Sequence, residues 1–166
     1  MCKRGHHATC KRGNHAVVAF IAFVVVLVAA QFVRPERANP PTVASRTIRA
    51  HAETPNGLAA VLDRACRDCH SNETVWPGYT RIAPLSWLMA YGVRKGRSAV
   101  NFSDWAAYTP EQQAILLALS CQDASEGKMP GPYTLIRPET RLSAQDVETI
   151  CTGARHAEVR TAGGAR

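Results

Sequence analysis

A chain of 166 residues accommodates one modest domain with extensions. Twenty Lys and Arg against 13 Asp and Glu leave a formal charge of +7, while 46% apolar residues are enough for a core. The basic excess is split between the two ends. No basic helix with interleaved aromatics appears, so nucleic acid is not expected as a partner, and a membrane surface or an acidic partner fits better.

Residues 1–15 form a basic N-terminus expected to be cytoplasmic. In it "CKRGHHA" (Cys2 to Ala8) recurs as "CKRGNHA" (Cys10 to Ala16). Two cysteines and three histidines there raise a metal reading, but their spacing fits no closed zinc pattern. A basic flank is the plainer reading.

Residues 16–33 follow as an uncharged apolar run, "AVVAFIAFVVVLVAAQFV". As one helix it would span about 27 Å, near the ~30 Å hydrocarbon core. The run is read either as a retained single-pass transmembrane anchor or as a signal segment with Val28-Ala29-Ala30 as a loose cleavage site. Its length favours the anchor. More Lys and Arg precede the run than follow it, so in both readings the rest of the chain is exported to the periplasm, held in the first case on the cytoplasmic membrane.

Residues 34–53 are polar, carry Pro35, Pro40 and Pro41, lack apolar periodicity and read as a linker. A domain over 54–153 begins with Thr54 as a helix cap and Pro55 in the first turn. Leu58, Val61, Leu62, Ala65 and Cys69 follow at helical spacing. A second helix runs from about Pro84 and is expected to stop at Gly96. "NFSDW" is a turn into a short helical piece, with Ser103 as a candidate cap. "TPEQQAILLALSC" opens on a capping-box pattern, Thr109 to Gln112. Glycines and prolines break the chain from Gly127 to Pro138. A last helix starts at Ser143, with Asp146 completing another cap, and Gly153 is its expected stop. Residues 154–166 are a basic tail. No stretch alternates with period two. The expected fold is all-α: four or five short helices in a small cytochrome c-like domain, preceded by the N-terminal transmembrane helix.

Cys66-Arg67-Asp68-Cys69-His70 is the chemical centre. Cysteines three apart can each form a thioether to one edge of a haem, and the adjacent histidine swings under the ring to reach the iron. A redox dithiol would want strand context. Zinc needs a further ligand pair. A disulfide across Cys66 and Cys69 is strained within a helix. The expected cofactor is therefore one covalent haem c per chain.

For the opposite face of the iron, Met129 is the candidate. It sits in the Gly/Pro-broken loop, whereas Met89 lies among apolar helix neighbours and reads as core filler. The alternatives are Met129 packing on the haem edge, or an open sixth position. Trp76, Tyr79 and Trp87, together with Phe102, Trp105 and Tyr133, are expected to help wall the cofactor and exclude water. Cys121 and Cys151 lie near the ends of two expected helices, and a disulfide between them depends on a distance that sequence does not supply.

"CRDCHSNETVWPGYTRIAPLSWL", then Gly96-Arg97, "NFSDW" and "MPGPYTLIRPETRLS" resemble a family of bacterial exported haem-binding domains of cytochrome c-like character, over about Leu58 to Ile150. The resemblance implies haem attachment at Cys66 and Cys69, ligation by His70, and Met129 of the Met-Pro pair as second ligand. The chain departs from the family pattern at Gly78, where an aromatic is usual, at Arg137, where a histidine is, and at Cys151, where a tryptophan often stands.

No acid–base pair or nucleophile constellation argues for turnover. The expected role is a membrane-anchored electron carrier serving an unidentified redox partner protein. The alternative is a haem-based sensor or a peroxidase-like enzyme with an open iron position.

Overall fold

The computed structural model describes residues 7–51 and 57–164. Among these there are α-helices and 3₁₀ turns and no strand, as expected for an all-α chain. The backbone clusters into two compact units. One comprises residues up to 37 together with 76–90; the other comprises 38–75 together with 91–166.

The first unit is dominated by α1, His7–Ala30. Its helical ladder ends at Ala30, and the chain leaves through a tighter turn in which Gln31 and Phe32 N–H donate to the Val28 and Ala29 carbonyls. The uncharged helical stretch from Ala16 to Ala30 is thus about 22 Å long at ~1.5 Å per residue, against a hydrocarbon core of ~30 Å. Among the described residues no helix is long and apolar enough to cross a membrane. The expected transmembrane helix over 16–33 is corrected at its end, where its last three residues lie beyond the helix, and its spanning role is unsupported. The Cys/His repeat, together with Thr54 and Pro55, falls largely or wholly outside the described residues.

The second unit begins inside the expected linker. Residues 38–51 are mostly exposed but tied down, with a 3₁₀ turn at Ala44–Arg46, a short α2 (Ile48–His51), and Thr47 and Ile48 buried. The amphipathic α3 (Leu58–Ala65) buries Leu58, Val61, Leu62 and Ala65. A one-turn α4 (Arg67–His70) follows. The next long helix, α5 (Leu85–Ala99), contributes its residues from Tyr91 onward to this unit.

After a 3₁₀ segment at Phe102–Ala107 come α6 (Pro110–Ser125) and α7 (Ala144–Gly164). The α6 capping box forms as read, with Thr109 Oγ1 accepting from Gln112 N–H and Gln112 Oε1 from Thr109 N–H. Ser143 and Asp146 cap α7 in the same reciprocal way. At Phe102 the cap is Asn101, whose Oδ1 accepts from Ser103 N–H, rather than Ser103 itself.

Two expected helix stops are not stops. α5 passes through Gly96 and α7 through Gly153. A Cβ on Gly153 would lie 2.5 Å from Leu58 Cδ2, so the glycine lets α7 lie against the fully buried Leu58 of α3. Cys121 of α6 and Cys151 of α7 form a disulfide, their Cα atoms 4.8 Å apart.

Candidate functional site

Cys66 sits at the break between α3 and α4. Its N–H donates to Leu62 O, while its own carbonyl accepts from both Cys69 and His70 N–H, at 3.2 and 3.0 Å. The Cys-x-x-Cys-His segment is therefore a tight turn at the end of α3. Cys66 and Cys69 are both free and half-buried. Burial pushes the Cys66 thiol up to about 12, helped by the proximity of Cys69, and pushes the Cys69 thiol up to about 11, helped by Asp68. The thiolate that a redox dithiol or a zinc ligand uses is disfavoured here. Among the described residues no group of three or more His, Cys, Asp or Glu is arranged to hold a metal ion.

His70 Nδ1 lies 3.3 Å from the Val100 carbonyl. An Nδ1–H donor at this contact leaves Nε2 with its lone pair. Burial also lowers the His70 pKa, favouring the neutral ring that binds iron. The ring lies 6.0 Å from that of Phe102, centroid to centroid.

Beside the imidazole is a cavity of about 190 Å³, with about 760 Å³ of free space when its open mouth is included. The enclosed volume lies below the roughly 300–1,000 Å³ of drug-sized and cofactor sites, so a large flat ligand held here would extend through the open mouth. Cys66, His70 and Met129 all line it, with Leu62, Phe102, Leu142 and Ile150 among the apolar walls and Asp123 and Ser120 as polar members. Cys69 is not in the lining.

Met129 is brought there by the end of α6. Gly127 adopts φ +68°, a conformation open to glycine. Its N–H donates to Ala124 O, and Lys128 N–H reaches back to Asp123 O at 2.9 Å. This double reversal satisfies the last carbonyls of α6 and turns the chain toward the cavity.

Trp76, Tyr79 and Trp87 are placed differently. All three belong to the first unit, and none lines the cavity. The indole N–H of Trp87 is used on the Val33 carbonyl at 2.7 Å. The aromatic wall residue among the described lining is Phe102, with Trp105 stacked behind it at 6.0 Å.

Several residues that hold the site were not singled out by the sequence. Arg97 spends its guanidinium on Ser71 O, Ala38 O, Asn39 Oδ1 and Thr74 Oγ1, all within 2.9 Å, which locks the chain just after His70. Gly96 meets Cys69 directly: a Cβ there would lie 2.3 Å from the Cys69 carbonyl oxygen. Asn72 and Asn101 are bonded side chain to side chain at 2.9 Å, and Asn72 N–H donates to Ser103 Oγ. The "SN" and "NFS" segments thus form one polar network. The available signal was their presence together in the resembling stretch.

Asp68 ties the Met129 loop to the cysteine turn. Its Oδ2 accepts from Tyr133 Oη at 2.8 Å and pairs with Arg137 Nη1 at 3.5 Å, and its Oδ1 accepts from Val75 N–H. Asp68→Ala is expected to lower unfolding stability by about 1–3 kcal/mol, because those donors lose a largely buried acceptor. Urea unfolding of the variant beside the parent checks this, and an unchanged midpoint would show the clasp to be absent in solution.

A profile of the haem-binding domain family matches residues 25–156. The chain belongs to this haem-binding family. The match takes in the cavity, the Cys66–His70 turn and the Met129 loop, and the lining suits the cofactor: the Cys66 thiol, the His70 imidazole, the Met129 thioether and apolar walls. No curated protein and no solved structure matches the chain. As a haem-binding domain it carries Arg137 where the resembling pattern has histidine, and that arginine pairs with Asp68 and Glu139. Gly78, where an aromatic is usual, faces open space.

Proposed function

We propose that this haem-binding domain is a c-type monohaem electron carrier working on the periplasmic side of the cytoplasmic membrane. The observation that carries the reading is that Cys66, His70 and Met129 share one largely apolar cavity. In this reading Cys66 and Cys69 supply the thiols for two thioethers. His70 would bind iron through Nε2, held in orientation by Val100 O, and Met129 would supply its sulfur as a second ligand. A haem so held contributes one-electron chemistry between ferrous and ferric iron, while the protein supplies ligands and a dry wall. The Cys121–Cys151 disulfide fits an oxidising compartment. The basic stretch before the apolar α1 fits export and membrane association.

A second reading has one observation in its favour. Met129 is 46% exposed, so its sulfur is not enclosed by the protein. An exchangeable sixth position would suit a sensor or a peroxidase-like enzyme.

Spectra of the full chain, purified from cells competent for c-type maturation, separate these. The expected result is haem that stays on the protein in acid acetone. Its ferric spectrum should be low-spin, with the weak charge-transfer band of methionine ligation. Met129→Ala should remove that band and leave the haem attached. A high-spin spectrum with rapid CO binding would overturn electron transfer in favour of the second reading, and fully extractable haem would overturn covalent attachment.

A further inference from the structure

The first unit leaves an apolar surface that the haem site does not use. Phe32 and Val33 at the exit of α1, and Ile82, Leu85, Trp87 and Leu88 around the start of α5, are all exposed large apolar side chains. Leu88 is 63% and Ile82 58% accessible. These two groups are one structure. Gln31 Oε1 accepts from Ala83 N–H at 3.0 Å, Gln31 Nε2 donates back to Ala83 O at 3.3 Å, and Trp87 Nε1 donates to Val33 O. The end of α1 is thereby pinned to the segment carrying Ile82 to Leu88. Arg34 and Arg81, both exposed, are the cations adjoining it in sequence.

We infer that this surface is a bilayer contact, seated in the lipid interface at the C-terminal end of α1. The inference rests on the membrane association proposed above and adds a second, globular contact to it. Lipid is the occupant that fits α1. Val17, Val18, Phe20, Phe23, Val25 and Val26 occupy every side of the helix and all are exposed. A protein groove covers one stripe of a helix, whereas acyl chains cover the whole circumference.

Length points the same way. The uncharged part of α1 falls roughly 8 Å short of the hydrocarbon core. An apolar surface that sinks about 5–10 Å into the headgroup boundary makes up that difference. Trp87 is amphipathic in the manner of interfacial tryptophans, its indole N–H satisfied by the backbone and its ring partly open. Arg34 and Arg81 suit anionic headgroups.

Hydroxyl-radical footprinting of the full haem-loaded chain in phosphatidylcholine–phosphatidylglycerol vesicles tests this. Labelling of each residue is normalised to the denatured chain, with Ile115 and Leu119, exposed apolar residues of the second unit, as references. The expected result is loss of labelling at Ile82, Trp87 and Leu88 alongside α1, while Ile115 and Leu119 stay labelled. In Ile82→Glu/Leu88→Glu, labelling of Trp87 should return while α1 remains protected. If Ile82, Trp87 and Leu88 label as strongly as the references while α1 is protected, the interfacial contact is overturned and membrane association stands. Labelling throughout α1 would overturn that association, and this surface with it.

Discussion

Gly96→Ala is expected to lower the stability of the haem domain by about 2 kcal/mol and, under the covalent attachment proposed above, to cut the yield of haem-loaded protein. The added Cβ would lie 2.3 Å from the oxygen, 2.8 Å from the carbonyl carbon and 3.0 Å from the Cβ of Cys69. The oxygen and carbonyl carbon belong to the backbone of the Cys66–His70 turn and cannot rotate away. α5 cannot easily retreat either, because Arg97, the next residue, is fixed by four hydrogen bonds on the other side of the same turn. Alanine gains about 1 kcal/mol of helix propensity over glycine, which overpacking of about 1–3 kcal/mol or more outweighs. Urea unfolding and a haem-to-protein ratio after acid-acetone extraction read the two effects. A midpoint and a loading equal to the parent's would mean that α5 and Cys69 are not in contact in solution. Gly153→Ala is the useful contrast. Its Cβ meets the tip of the Leu58 side chain, which can shift, so a smaller loss is expected.

Replacing both Cys121 and Cys151 by serine should lower stability by about 3–4 kcal/mol, the loop-closure effect of a bridge spanning 30 residues. The closed loop contains Met129, Tyr133 and Arg137, so opening it frees the segment that carries Met129 into the cavity lining. Weakening of the methionine band should therefore accompany the stability loss. Thermal unfolding of parent and double variant, each with and without reductant, checks this. If reductant shifts parent and variant equally, or neither, the bridge is not the source of the difference. Serine is preferred to a larger residue because the helices lie close, with Cα atoms 4.8 Å apart.

Much of the site was legible because its signals are local. A one-turn geometry brings Cys66, Cys69 and His70 together, and that follows from spacing alone. The loop after α6 was readable from Gly127 and the prolines, since a positive φ and a missing N–H are properties of single residues. The two capping boxes formed where they were read, for the same reason: both partners lie within four residues. The position of Trp76, Tyr79 and Trp87 was not readable. Aromatic residues near a haem motif in sequence have no local feature that says which unit they join.

By itself, the sequence determined that this chain is helical, that Cys66, Cys69 and His70 share one turn, and that Met129 is the methionine carried by a loop. Each of these depends on interactions within a turn or two of backbone. Only the tertiary structure decided that Gly96 and Gly153 are points of close approach and not helix ends, that residues 38–51 are tied down rather than free, and that Arg97 and Asp68 clamp the Cys66–His70 turn. It also decided that Cys151 bridges to Cys121 and that α1 keeps its helix no further than Ala30. A glycine looks the same in sequence whether it ends a helix or admits a neighbour. The difference lies in what stands within 3 Å of its missing Cβ, and that neighbour comes from 27 residues away for Gly96 and 95 residues away for Gly153.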